Sequence, residues 1–175
     1  MGGKAIGLDL LNGYPGAIAR HGDEVIKSRP VAASAVIPFG VPVVMHKSGG
    51  VADGSVEPFG ASNVSADFVG IACRRIKQAT SFTEENFGEY RDTDIADIME
   101  RGSIMVICQT GTPTPGSDVY IRTVLNTTDY PDAKVGDIEA MSDSTNSVKI
   151  TNCKFFGPKD SNGVVELVIL TRQGV

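Results

Sequence analysis

Residues 28–45, SRPVAASAVIPFGVPVVM, restrict the chain more tightly than any other stretch. Apolar Val31, Val36 and Ile37 lead into Pro38-Phe39-Gly40, and the β-branched run Val41-Pro42-Val43-Val44-Met45 follows. Two prolines fix φ and remove backbone donors on either side of a glycine that can take positive φ. The pattern therefore predicts strand, turn and strand. Pro42 cannot donate to a ladder, which predicts that its strand lies at a sheet edge or a barrel rim. The same device returns at Gly116-Ser117-Asp118, which leads into Val119-Tyr120-Ile121. With 20 glycines and 9 prolines in 175 residues, turns and short strands are favoured over long helices. The predicted class is all-β: a small β-barrel or sandwich of short strands, with an extended N-terminal arm and long surface loops.

Other strands read out in the same way. Residues 66–73 form one, with Gly70 marking a bulge or a close approach. Residues 119–124, 148–156 and 164–170 give three more, the second alternating with Val148, Ile150 and Asn152 on one face. Residues 47–55 read as a polar, glycine-rich loop, residues 78–88 as a surface loop anchored by Phe82 and Phe87, and residues 126–147 as an acidic, turn-rich excursion. Residues 92–102 are ambiguous. Ile95, Ile98 and Met99 have helical spacing between Asp92 and Gly102, whereas the rival reading is a strand that turns at Arg101-Gly102. Residues 1–27 form the arm and residues 28–175 the β domain. The arm is rich in glycine yet carries Ile6, Leu8, Leu10, Leu11, Tyr14, Ile18, Val25 and Ile26, so it is expected to dock on its own barrel or on a partner.

The inventory for chemistry is thin. His21 and His46 are the only histidines, which rules out a three-histidine metal site. Ser28, Ser48, Ser103 and Ser117 all lack the Gly-x-Ser-x-Gly elbow. Asp92, Asp94 and Asp97 lack the alternate oxygens, central glycine and distal glutamate of a calcium loop. No phosphate loop, dinucleotide fingerprint or paired-cysteine motif occurs, so no cofactor, metal or small-molecule substrate is expected. A net charge of −5 and 6 % aromatic residues argue against nucleic acid and glycans as partners, and Arg74-Arg75-Ile76-Lys77 reads as a solvated strand end. Cys73, Cys108 and Cys153 are widely spaced within apolar runs, as expected of reduced, buried thiols made in a cytoplasm. Asp9, Asn12 and Pro15 interrupt the N-terminal apolar residues, so neither a signal peptide nor a membrane span is expected.

Several motifs occur in a telling order: Gly13-Tyr14-Pro15-Gly16, residues 25–31, residues 37–44 and Phe68-Val69-Gly70-Ile71-Ala72. Tyr90, the run Arg101-Gly102-Ser103-Ile104-Met105-Val106, residues 116–120 and a closing strand at 164–170 follow. In this order the chain resembles the structural cement (capsid decoration) proteins of tailed bacteriophages. The resemblance implies a β-rich clamp on the outer capsid surface that bridges neighbouring major capsid proteins, with no catalytic activity. It also favours a hairpin over a helix at residues 92–102, and a homo-trimer or homo-dimer. The contact residues expected from arm and rim are Leu8, Leu10, Leu11, Tyr14, Pro15, Ile18, Arg29, Phe39 and Pro42. Two alternatives stay open: another virion surface module, such as a head-fibre base or glycan binder, and a hydrolase built on His46.

Overall fold

One strand organises the molecule. In the computed structural model, which describes residues 11–75, 88–92 and 94–172, β7 spans Ile95–Thr110 without interruption. Before it come β1 (Ile18–Pro30), β2 (Ile37–Pro38), β3 (Pro42–Ser48), β4 (Val51–Pro58), β5 (Phe68–Ala72) and β6 (Glu89–Tyr90). After it come β8 (Asp118–Arg122), β9 (Ile138–Glu139), β10 (Ser147–Phe155) and β11 (Val164–Ile169).

A strand residue has only two edges, so shared partners fix the arrangement. Ile98 and Met99 pair with both β1 and β5, while Ser103 and Ile104 pair with both β1 and β11. β1 therefore occupies one edge of β7, with β5 and then β11 along the other. The distal half of β7 closes a ring through β11, β10, β8 and β9, the last pairing with β7 in parallel at Cys108. Its proximal half joins β5, β3 and β4, and the Val31–Val56 bridge just past β1 brings that sheet round on itself. Two small barrels thus share one stave.

Sharing it requires a change of face. Ile26 pairs with Met99 and Val25 with Arg101, which leaves Glu100 as an additional residue, and Gly102 follows at φ 121°. Before this bulge, Ala96 and Ile98 face a cluster with Val31, Ile37, Val43, Val56, Val69 and Tyr90. After it, Ile104, Val106 and Cys108 face the main core with Val119, Ile121, Phe155 and Leu167. Without the bulge Ile104 and Val106 would turn outward and forfeit about 3–6 kcal/mol of burial. Met99 belongs to the main core, back to back with Ile98. The helical spacing of 95, 98 and 99 is thus a strand with buried residues on both faces.

From Ile95 through Gly102 the chain is continuous strand, neither the helix nor the hairpin at Arg101-Gly102 that residues 92–102 suggested. Pro42 opens β3, which lies between β4 and β5 rather than at an edge; as the first residue of a strand it removes no interior ladder bond. Residues 47–55 are mostly strand, since β3 and β4 form a hairpin that turns at Gly49-Gly50. The arm expected over residues 1–27 is β strand from Ile18 onward, so β1 runs across the 27/28 boundary. Gly70 is a point of close approach: a Cβ there would lie 2.2 Å from the Met99 carbonyl oxygen. Cys73, Cys108 and Cys153 are buried free thiols. Phe82 and Phe87 lie outside the described residues.

Candidate functional site

Three of the residues expected at a contact surface meet in one groove. Its construction begins at the tight turn through Tyr14-Pro15-Gly16. Gly16 donates to the Met105 carbonyl (2.7 Å) and accepts from the Arg74 amide (2.6 Å), while Met105 donates to the Ala17 carbonyl (2.8 Å). The turn is thereby fixed to β7 and to the end of β5. Gly40 donates to the Ala72 carbonyl and brings the 38–42 turn against the same place. Only glycines fit this junction: a Cβ on Gly16 would sit 2.8 Å from the Arg74 nitrogen, and one on Gly40 would sit 2.8 Å from the Pro15 Cβ. Both have positive φ, 79° and 81°.

Pro15, Phe39 and Pro42 line a groove of about 140 Å³ together with Ile107 and a second wall segment, residues 136–138. That second wall is braced from beneath. Arg122 donates from its amide to the Asp137 carbonyl and accepts from the Gly136 amide, both at 2.9 Å. Its guanidinium is wholly buried. Nε donates to Glu139 at 2.6 Å, Nη1 to Asp143 at 2.8 Å, and the Tyr130 ring lies 5.2 Å away. Burial pushes the Glu139 carboxyl upward despite the bond from Arg122. Burial likewise holds Asp137 above the usual carboxylate value, against a bond from the Lys134 amide. A roomier, polar cleft of about 290 Å³ adjoins the groove through Gln109 and is lined by Thr110, Asp129, Tyr130 and Asp132.

Arg74 meets two of the aromatic rings in this region. Its guanidinium carbon lies 5.0 Å from the Tyr14 ring centroid and 5.8 Å from that of Phe39, within cation–π range. Phe39 also meets Tyr90 edge to face at 5.1 Å. Tyr14 remains 67 % exposed and Leu11 57 % exposed. The other expected contact residues are placed differently. Ile18 packs against the main core, and Arg29 is turned inward to Glu100 at 2.8 Å. Leu8 and Leu10 lie outside the described residues.

Elsewhere the polar residues hold the chain together. Glu100, 3 % exposed, meets Arg29, Lys27 and Arg172. Burial works to raise its pKa, but the Arg29 hydrogen bond and the three cations outweigh burial and hold the carboxyl below its usual range. His46 is half-buried and bonded to Glu57 at 2.9 Å, a contact that raises its pKa. Asp97 is engaged by Ser28 and Arg75, and Asp94 by the Arg91 amide. Among the described residues no group of three or more acidic, histidine or cysteine side chains could hold a metal ion.

A family model described as structural cement protein (E217 gp24/Pam3 gp6) matches residues 3–170. The chain belongs to this family. Its members are structural proteins of phage particles, and the role of this chain is that of a capsid cement protein. A chain from a solved structure of the capsid of Myoviridae Phage XM1 aligns at a TM-score of 0.67 and 19 % identity, covering 94 % of each chain. That likeness shows a shared fold. No curated protein matches. Arg74 and Ile107 of this cement protein were not expected at a contact surface. Arg74 reads from sequence as one of a short basic run, and only the fold sets it against Tyr14.

Proposed function

We propose that this cement protein binds the outer surface of the capsid, bridges neighbouring major capsid protein subunits, and catalyses nothing. The observation that carries the reading is the braced groove at the Tyr14-Pro15-Gly16 turn, where Tyr14 is exposed. Tyrosine, phenylalanine and arginine are enriched where proteins meet, and a surface held rigid before binding loses less freedom when it binds. Tyr14, Pro15, Phe39, Pro42 and Leu11 supply contact area on this reading, and the chain before Ile18 serves as the arm. Ile18 and Arg29 act indirectly by holding β1 in place.

An acidic body suits the outer face, where packaged nucleic acid does not have to be accommodated. Self-association into a dimer or trimer would multiply weak contacts over a repeating shell. The test mixes purified protein with empty shells assembled without it. Saturable, stoichiometric retention and access of surface antibodies to the bound copies are expected. Shells that never retain the protein would overturn the reading.

A further inference from the structure

Arg74 stands apart from every other arginine of the chain. Arg20 pairs with Glu166, Arg29 and Arg172 with Glu100, Arg75 with Asp97, Arg91 with Glu89, Arg101 with Asp23, and Arg122 with Glu139. Among the described residues Arg74 meets no carboxylate, although acidic residues outnumber Lys and Arg by 21 to 16. Its neighbour Arg75 is satisfied, so local composition does not account for the difference. What Arg74 meets instead is two aromatic rings, at 5.0 and 5.8 Å. Its backbone is pinned by the 2.6 Å bond to Gly16.

We propose that Arg74 is the anchor of the capsid contact and that it pairs with an aspartate or glutamate on an extended segment of the major capsid protein, whose next apolar side chain enters the groove between Pro42 and Ile107. This rests on the capsid-binding reading above and names the chemistry of the partner. Three features select that occupant. A planar guanidinium already within cation–π range of two rings offers a fork that matches a carboxylate, with little further side-chain ordering. The groove takes one side chain of moderate size rather than a helix, because about 140 Å³ is available. Its Pro15 and Pro42 present no amide donors, so that part of the lining suits an apolar group, while polar recognition is left to Arg74 against the Phe39 ring.

The experiment measures retention of full-length protein on empty shells of the major capsid protein across a salt series, for wild type, Arg74→Ala, Arg74→Lys and Arg74→Glu. Arg74 is exposed, so unfolding midpoints are expected to match wild type. Arg74→Ala is expected to weaken retention roughly 30-fold, in the range of an interface hot spot. Arg74→Lys should recover only part of the loss, Arg74→Glu should abolish retention, and Arg74→Ala should flatten the salt dependence. If wild type binds and Arg74→Glu binds equally well, the anchor is overturned while the capsid-binding reading stands. If wild type itself fails to bind, that reading fails. If Arg74→Glu keeps its shell affinity but dissociates self-assembled protein in sedimentation, the occupant is a second copy and the proposal is wrong.

Discussion

Replacing Arg122 with methionine tests how the groove wall is held. Arg122 and Glu139 are both fully buried and paired at 2.6 Å, with Asp143 at 2.8 Å on the other side of the guanidinium. Removing the cation while keeping the shape of its stem leaves the Glu139 carboxylate without its countercharge in the interior. Breaking a buried pair from one side costs about 3–5 kcal/mol. At about 2–4 °C per kcal/mol for a chain of this size, the unfolding midpoint should fall by roughly 6–20 °C. The sign of the pH dependence follows from Glu139. Burial already raises its folded pKa, and loss of Arg122 raises it further, so in the variant folding takes up a proton. Stability then falls as pH rises from the unfolded value through the folded one, and the deficit shrinks as the solution is acidified. Asp143 contributes in the same sense, since the bond from Arg122 holds it low in the wild type and that advantage also fades in acid. Thermal unfolding followed by circular dichroism at pH 7.5 and pH 5 measures both effects. The double variant Arg122→Met with Glu139→Gln should recover much of the loss. A single-variant cost below about 1 kcal/mol, or a deficit that grows on acidification, would refute the reasoning.

Three further perturbations probe the frame around the site. Gly70→Ala places a methyl group against the Met99 carbonyl and should cost about 3 kcal/mol in urea unfolding; a neutral result would mean that β5 and β7 are not that close. Glu100→Gln removes the common partner of Lys27, Arg29 and Arg172 and should cost about 2 kcal/mol at pH 7. The folded pKa of Glu100 is depressed, so wild type keeps this stability above the unfolded value near 4.5 and loses it as pH falls further; the two proteins should converge in acid. Burial pushes the Cys73 thiol up to about 12 and raises Cys108 and Cys153 as well. A disulfide reagent at pH 8 should therefore react slowly with native protein and release three equivalents in urea.

Much of the fold was written locally. The prolines and glycines of residues 38–42 and 116–118 marked turns, and β8, β10 and β11 followed as runs of β-branched residues. Gly70 read correctly because a glycine inside an apolar strand has few other reasons to be there. β7 misled because its signal is not periodic. Ile98 and Met99 serve opposite cores, and the bulge at Glu100 then shifts the register, so neither half shows a clean alternation, and exposed Ile95 with the adjacent buried pair Ile98 and Met99 imitates helical spacing. Pro42 misled for another reason: a strand's first residue can be proline even where later residues pair on both sides. At the groove, Pro15 was singled out as an arm residue and Phe39 and Pro42 as rim residues, but Arg74 was not. Its significance depends on the rings that surround it and on carboxylates placed elsewhere, and neither is visible along the chain. Glu139 was hidden too, since residues 126–147 look solvated although Arg122 draws one of their acids into the interior.

Thermal disruption of the shell tests the central claim most directly. Empty capsids assembled without the cement protein are heated alone and after saturation with it, and the disruption temperature is read by light scattering. The disruption temperature should rise until the surface sites are filled, and Arg74→Glu should fail to raise it. An unchanged disruption temperature on shells demonstrably carrying the protein would contradict it.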